Sequence, residues 1–179
     1  MTGTGDRSAP ACPPVDATAA AVVHTLADRG ETLAAAESLT GGLLAATVVE
    51  IAGVSAVFRG SLVVYATDLK ASVAGVPAGL LAERGPVDPD VAVAMAEGCR
   101  RRCGADWALA TTGVAGPEPQ AGKPVGTVFV AVAGPHGSTV RHLVLVGGRA
   151  AVRTATVTAA LELLIEQLRV SRPGPDRTA

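Results

Sequence analysis

The sequence predicts one α/β domain, a three-layer α/β/α sandwich built on a mixed sheet of about five strands. Its first two predicted strands alternate with helices, as parallel strands do, whereas its last three follow one another as an antiparallel run would. Although 49% of the 179 residues are apolar, the chain has only one Trp, one Tyr and two Phe. Ala, Val and Leu must therefore fill the core, as in helices packed closely on a sheet.

Helices are predicted where apolar residues recur at helical spacing between start and stop signals. The first helix is closed by Gly30, and Asp88-Pro89 gives a later helix an N-cap and a first-turn proline. That later helix ends at Gly104, and its inner stripe is predicted to be Val91, Met95, Cys99 and Arg102. The predicted helices span 15–29, the turn after Ser38 to about 51, 68–73, 78–83, 89–103 and 149–169.

Strands are predicted from short runs of small apolar, β-branched and aromatic residues. The run WALATT at 107–112 is almost continuously apolar, which is typical of a central buried strand. The turn signal at 134–137 predicts that the strands on either side of it form a hairpin. The predicted strands span 32–36, 57–66, 107–112, 125–133 and 139–146.

The composition of the two ends and the net charge of the chain indicate which classes of protein it can belong to. Residues 15–170 are expected to form the domain, with Gly- and Pro-rich disordered segments at 1–14 and 171–179. A net charge of −1 gives no basic surface for nucleic acid, and no apolar run is long enough to span a membrane. The N-terminus lacks the apolar core of a signal peptide. We therefore expect a cytoplasmic protein that binds neither nucleic acid nor membrane.

No metal or cofactor motif stands out. Cys99 and Cys103 lie one helical turn apart, but no further Cys or His stands near them in sequence, which favours two ordinary thiols. The three histidines are scattered. The G-x-G-x-x-G spacing is absent, which argues against a nicotinamide-dependent oxidoreductase. The expectation is a protein without metal or cofactor.

The turn after the first strand is the strongest candidate for a functional site. Glu37-Ser38 ends a buried strand, and Thr40-Gly41-Gly42 opens the next helix. Such a turn directs free backbone N–H groups and the positive end of a helix at whatever lies above it. Ser38 stands at a strand end, where α/β proteins place their chemistry. The alternative is that Ser38 or Thr40 only caps the helix.

Lys70 is the candidate partner for Ser38. The chain has 13 Arg but only two Lys, and its sole Tyr, Tyr65, precedes Lys70 by five residues. Lys can lose its proton and Arg cannot, and no His lies in the four candidate segments at 37–42, 65–70, 112–117 and 123–127. Lys70 could therefore activate Ser38, as in Ser-Lys variants of the catalytic triad. Tyr65 could relay a proton. The alternative for Lys70 is a solvated residue on a helix surface.

Two Gly-rich loops stand at the ends of later predicted strands, at 112–117 and 123–127. Each is either a tight turn that needs positive φ or a set of backbone N–H groups that holds a phosphate or an oxyanion. The sequence alone leaves both interpretations open.

Four segments together resemble the C-terminal domain of CinA, the competence/damage-inducible protein. They are AESLTGG, YATDLKASVAGV, TGVAGP and KPVGTV, in this order and spacing, and the resemblance covers about residues 15–168. It implies a nicotinamide-nucleotide amidohydrolase that converts nicotinamide mononucleotide to nicotinate mononucleotide and ammonia. The chain is too short for the molybdopterin-binding-like domain that precedes this one in many members, so the stand-alone deamidase form is expected.

The resemblance also assigns roles to residues. It makes Ser38 the nucleophile, with Lys70 and Tyr65 beside it. The residues that it implies for substrate binding are Thr40, Gly41, Gly42, Thr112, Gly113, Ala115, Gly116 and Arg149. Backbone N–H groups near Gly41-Gly42 would hold the oxyanion.

The sequence departs from the family pattern at three places. Leu39 stands where many members have Cys, Thr67 where Asn is frequent, and the loop at 118–122 is shorter than usual. A non-catalytic nucleotide-binding regulatory module remains the alternative function. Ala-rich helix faces also lead us to expect a homodimer.

Overall fold

The computed structural model describes residues 15–171. The two segments predicted to be disordered, together with Cys12, lie outside the described residues, apart from Ser171, which follows the last helix. The helices are α1 (Val15–Arg29), α2 (Leu43–Val49), α3 (Thr67–Ser72), α4 (Ala78–Arg84), α5 (Pro89–Cys103) and α6 (Arg149–Val170). The strands are β1 (Leu33–Glu37), β2 (Phe58–Val63), β3 (Trp107–Gly113), β4 (Thr127–Gly134) and β5 (Gly137–Val144). The predicted order of elements is confirmed.

The five strands form one mixed sheet, as predicted, in the order β2-β1-β3-β4-β5. β1 runs parallel to β2 and to β3, whereas β4 runs antiparallel to both β3 and β5. Glu37, the last residue of β1, pairs with Val63 on one side and with Thr111 on the other. The carboxyl ends of three parallel strands therefore meet at one edge of the sheet, and the segments that leave them converge there.

Different helices cover the two faces of the sheet, which gives the predicted three layers. On β1, Leu33 and Ala35 pack in the cluster that contains the buried residues of α1, α2 and α6. Ala34 and Ala36 pack in the other cluster, with α5 and the segment around α3 and α4. Alternate residues of one strand thus serve both cores. The abundance of Ala on the α5 side lets that helix approach the sheet closely.

Helix α5 starts at the predicted N-cap, but one of the four residues predicted to face the core does not do so. The Asp88 side chain accepts a hydrogen bond from the Asp90 amide at 2.9 Å, as an N-cap should. Val91, Met95 and Cys99 are fully buried. Arg102 is exposed instead, so its assignment to the stripe is wrong, and its guanidinium lies beside Gly75.

Gly98 shows how closely α5 packs. A methyl group added there would lie 1.7 Å from the Ala74 carbonyl oxygen, a backbone atom that cannot turn aside. We expect Gly98→Ala to lower the free energy of unfolding by about 1–3 kcal/mol, the range for overpacked cores. Gly79→Ala is the matched control, because this helical glycine has no atom within 4 Å of an added methyl. It should be neutral or stabilising by about 0.5–1 kcal/mol.

Urea unfolding of both variants measures the difference. Equal stability of Gly98→Ala and Gly79→Ala would contradict the close contact between α5 and the chain around Ala74.

Among residues 15–171, no helix combines the length and the apolar character needed to cross a lipid bilayer.

Candidate active site

Ser38 lies directly after β1 and begins a tight turn. Its amide donates to the Thr111 carbonyl at 3.0 Å, which extends the β1–β3 ladder by one residue. The chain then turns through Gly41 and Gly42, whose φ values of 58° and 94° lie in the left-handed region that favours glycine. Helix α2 begins only after this turn, at Leu43. Ser38 is 8% exposed and lines a cleft at the edge of the sheet.

Lys70 is buried against Ser38. The side chain is 2% exposed, and its Nζ lies 3.0 Å from the Ser38 Oγ. The same nitrogen donates to the carbonyl oxygens of Val64 at 2.9 Å and Tyr65 at 3.3 Å. The interpretation of Lys70 as a solvated surface residue is therefore wrong. Side chains of a helix point back toward its N-terminus, so the Lys70 amine of α3 reaches the carbonyls of Val64 and Tyr65, which directly follow β2.

Burial lowers the pKa of Lys70 from 10.5 to about 8. Its three hydrogen-bond partners are a hydroxyl and two carbonyls, which compensate a buried positive charge less than a carboxylate does. The amine therefore loses its proton far more readily than an exposed lysine, and it does so within hydrogen-bond distance of a serine hydroxyl.

Glu37 anchors the turn, and the sequence did not predict this role. Its fully buried carboxylate accepts hydrogen bonds from the amides of Gly42, Leu44 and Ala45 at 2.9, 3.0 and 2.9 Å. It also accepts from the Ser61 hydroxyl on β2 at 3.0 Å. A single acidic residue at the end of the apolar run LAAAE was the available signal, since a buried carboxylate must have polar partners.

The expected role of Thr40, Gly41 and Gly42 in substrate binding meets a difficulty here. The Gly42 amide already donates to Glu37, and the Gly41 amide donates to the Ser38 carbonyl at 3.0 Å. The Thr40 hydroxyl is fully buried and bonded to the Thr111 hydroxyl at 2.8 Å. None of the three lines the cleft. They shape the turn that presents Ser38.

The other predicted site residues do come together. The cleft that they line encloses about 480 Å³ of space, open solvent included. The Thr112 hydroxyl donates to the Pro86 carbonyl at 2.6 Å, which ties the end of β3 to the start of the α5 segment. The predicted residues that line the cleft are Ser38, Tyr65, Lys70, Thr112, Gly113, Ala115, Gly116 and Arg149.

Arg149 and Tyr65 meet at the mouth of the cleft. Arg149, the first residue of α6, donates through Nη1 to the Gly116 carbonyl at 2.9 Å and through Nη2 to the Tyr65 hydroxyl at 3.1 Å. Tyr65 is 58% exposed. The structure thus brings the backbone carbonyl of Tyr65 to Lys70 and places its hydroxyl at the rim, against a cation.

Arg153 is a second residue that the sequence did not single out. Its Nε lies 3.1 Å from the Leu39 carbonyl oxygen, and its Nη2 lies 2.6 Å from that of Thr40. The spacing of Arg149 and Arg153 was the available signal, because residues four apart share one face of a helix.

Comparison with known proteins shows the family of the chain. The sequence matches the family model of the CinA C-terminal domain over residues 15–168. The chain belongs to the CinA family. Among curated relatives, it is 50% identical over 157 residues to a CinA-like protein of Frankia casuarinae, and 48% identical over 149 residues to one of Geobacter sulfurreducens. These matches cover 88% and 83% of this chain but 36% of each relative, so the chain spans about a third of their length.

Solved structures of CinA proteins share the fold. The competence/damage inducible protein CihA of Agrobacterium tumefaciens superposes with a TM-score of 0.83 at 37% identity, over 88% of this chain and 97% of its own. The competence damage-inducible protein A (ComA) of Klebsiella pneumoniae gives a TM-score of 0.86 at 32% identity, over 89% of this chain and 100% of its own.

The loop at 118–122, which is expected from the resemblance to be shorter than usual, borders the cleft. Gln120 and Lys123 exchange backbone hydrogen bonds of 3.2 and 2.9 Å around Ala121 and Gly122, so the loop folds back as a tight hairpin. Glu118 and Gln120 line the cleft, as does Thr67. These side chains therefore lie where they can affect which ligand fits.

The Cys, His, Asp and Glu side chains of this CinA domain are the groups that could bind a metal ion. Within residues 15–171, no three His, Cys, Asp or Glu side chains are grouped closely enough to hold a metal ion. The Cys99 and Cys103 Sγ atoms are 3.9 Å apart on α5. Burial, with Cys103 beside it, raises the pKa of the Cys99 thiol, which makes Cys99 a poor nucleophile.

The lowered pKa of Lys70 predicts a pH-dependent stability. Between pH 8, its folded pKa, and pH 10.5, the ordinary value, the unfolded chain binds more protons than the folded one. Stability should therefore rise with pH across this window, by up to about 3 kcal/mol, and the burial penalty is fully present below it. Lys70→Met should lack this rise, which urea unfolding at pH 7.5, 9 and 10.5 would measure.

Lys123→Met controls for the loss of one lysine elsewhere. A rise of equal size in wild type and Lys70→Met would show that Lys70 is not the group responsible.

Proposed function

We propose that this CinA domain is an amidohydrolase that deamidates nicotinamide mononucleotide to nicotinate mononucleotide and ammonia. The observation that supports it most is the buried contact of 3.0 Å between the Lys70 amine and the Ser38 hydroxyl, in a cleft whose mouth carries Arg149. A serine becomes a nucleophile when a neighbour takes its proton, and the lowered pKa of Lys70 suits it to that task.

The hydrogen bonds of Lys70 fit the neutral amine. A neutral amine has two N–H groups and one lone pair. The carbonyls of Val64 and Tyr65 can accept the two N–H groups, which leaves the lone pair for the Ser38 hydroxyl proton. Ser38 Oγ then attacks the carboxamide carbon while Lys70 becomes the ammonium.

The remaining steps return the proton. The Lys70 ammonium protonates the amide nitrogen as its bond to carbon breaks, and ammonia leaves. Water then attacks the acyl carbon and gives a proton to Lys70. As the bond between that carbon and the Ser38 Oγ breaks, Lys70 passes this proton to the Oγ, which restores the hydroxyl and releases nicotinate mononucleotide. Lys70 suits the role of proton donor better than Tyr65, since the Tyr65 hydroxyl is bonded to Arg149 at the rim.

The oxyanion needs a donor other than Gly41 or Gly42, because their amides are bonded within the turn. Among the described residues, the Leu39 amide has no hydrogen-bond acceptor, and Leu39 lines the cleft next to Ser38. The amide of the residue after the nucleophile serves as an oxyanion donor in other serine hydrolases. We assign that role to Leu39.

Arg149 is the group proposed to hold the phosphate. Its present acceptors, a carbonyl and a phenol, are uncharged, so a phosphate dianion would be a stronger partner for the same guanidinium. The Tyr65 hydroxyl beside it could donate a further hydrogen bond. A mononucleotide would then lie with its phosphate at the mouth and its carboxamide at Ser38.

Replacing Ser38 separates hydrolysis from mere binding. Ser38→Ala should lower ammonia release from nicotinamide mononucleotide by at least about 10³, because the nucleophile is gone. Binding, measured by calorimetry, should stay within about tenfold, or 1.4 kcal/mol. Ser72→Ala is the control, since Ser72 lies on α3 with an exposed hydroxyl bonded to the Asp68 carbonyl.

The alternative function, a nucleotide-binding regulatory module, gives a different result. Wild-type protein would bind the mononucleotide but release no ammonia, and Ser38→Ala would behave like wild type.

The pH–rate profile tests Lys70 as the base. The amine works when it is neutral, so kcat/KM should rise with pH through an apparent pKa near 8 and then level off. Lys70→Arg should lose at least about 10² in turnover, because a guanidinium stays protonated at these pH values. Circular dichroism checks that the larger side chain is accommodated, and Lys70→Met serves if it is not. Near-normal turnover in a folded Lys70→Arg would contradict the mechanism.

A further inference from the structure

We propose that Arg153 is a positioning residue that holds the Ser38 turn in its reactive conformation and thereby sets the rate of attack. The inference rests on the function proposed above, with Ser38 as nucleophile. Arg153 does not line the cleft, so it acts through the backbone rather than on the substrate.

The contacts of Arg153 are unusual for a partly buried cation. Within residues 15–171, both of its hydrogen bonds go to the carbonyls of consecutive residues, Leu39 and Thr40, which lie 114 and 113 positions earlier in the chain. No carboxylate of the described residues forms a salt bridge with it. The guanidinium therefore directs its donors at the backbone of one short turn.

These two carbonyls belong to the two residues that directly follow the nucleophile, Leu39 and Thr40. In a trans peptide the N–H points opposite to the carbonyl, so fixing the Leu39 carbonyl toward α6 also fixes the direction of the Thr40 amide. The position of Leu39, the proposed oxyanion donor, is set at the same time. A change in this geometry would move the donor relative to Ser38.

Glu37 holds the same turn from its other end. Its carboxylate takes the amides of Gly42, Leu44 and Ala45, whereas Arg153 takes the carbonyls of Leu39 and Thr40. The carboxylate of Glu37 thus accepts from backbone amides on one side of the turn, and the guanidinium of Arg153 donates to backbone carbonyls on the other side. Glu37 also joins the turn to β2 through Ser61. Among residues 15–171, Arg153 is the residue whose side-chain hydrogen bonds join the turn to α6.

The chemistry of the contact requires arginine. Nε and Nη2 lie in one plane at fixed separation, so the fork can reach two neighbouring carbonyls at once. A lysine at the same position would present a single nitrogen on a flexible chain. Arg153→Lys should therefore keep the charge while losing the two-point contact.

The test measures chemistry and binding separately. Arg153→Ala and Arg153→Lys should each lower kcat for ammonia release by at least about tenfold while KM changes less than about threefold, because small displacements of reacting groups slow the chemical step strongly. Labelling of Ser38 by phenylmethylsulfonyl fluoride, followed by mass spectrometry, should slow by a similar factor. Added guanidinium chloride at low millimolar concentration should restore part of both rates in Arg153→Ala alone.

Arg169→Ala is the matched control, an exposed arginine on the same helix, and should behave as wild type. A folded Arg153→Ala with wild-type kcat and labelling rate would overturn the proposal, and so would a raised KM at unchanged kcat. If the Ala variant does not fold, Arg153→Lys decides by the same measurements.

The labelling arm separates this proposal from the proposed function. If wild-type protein labels at Ser38 but releases no ammonia from nicotinamide mononucleotide, the proposed reaction fails and the labelling rates alone decide the role of Arg153. Wild-type protein that neither labels nor releases ammonia overturns both.

Discussion

A buried carboxylate holds together the segments on which the site depends. Glu37 is fully buried at the end of β1, and its four hydrogen bonds join that strand to the start of α2 and to β2. Without it, three amides and a hydroxyl would lose their acceptor, and each buried group left unpaired costs about 1–3 kcal/mol. The turn that carries Ser38 has its shape because these donors converge on one acid.

Two buried ionisable side chains of the site, Glu37 and Lys70, have different hydrogen-bond partners. Glu37 has four donors arranged around its oxygens, including amides at the start of a helix. Lys70 has only uncharged oxygens as partners, and its pKa falls as a result. Glu37 joins neighbouring segments as a hydrogen-bond acceptor, whereas Lys70 can change its protonation. The contrast arises from the partners that the fold supplies to each.

The sequence predicted the fold well because the signals for it are local. Apolar spacing, Gly at helix ends and the Asp88-Pro89 start fixed the order of every element within the described residues. The beginning of α2 was predicted too early, since the left-handed turn at Gly41-Gly42 precedes the helix rather than opening it. Ser38 and Lys70 were accessible to sequence reasoning because both stand near strand ends that a parallel sheet must bring together.

The supporting residues could not be predicted in the same way. Glu37 acts on backbone amides and Arg153 on backbone carbonyls, and any residue type supplies those groups. No side-chain pattern therefore marks the contact, and Arg153 lies more than a hundred positions from the turn it touches. The sequence assigned substrate binding to Thr40, Gly41 and Gly42 on the assumption that the amides of this turn are free to bind a ligand. The Gly42 amide instead donates to Glu37, a contact that the sequence does not reveal.

The position of α6 at the end of the described chain has a consequence for the order in which the protein is made. Ser38 and Lys70 are synthesised early, but Arg149 and Arg153 come from the last helix, after the hairpin of β4 and β5. A growing chain on the ribosome therefore contains its serine and lysine well before either arginine has been synthesised. Because Arg149 lines the cleft and Arg153 bonds to the turn after Ser38, the cleft is complete only once α6 has been synthesised and has packed against the sheet.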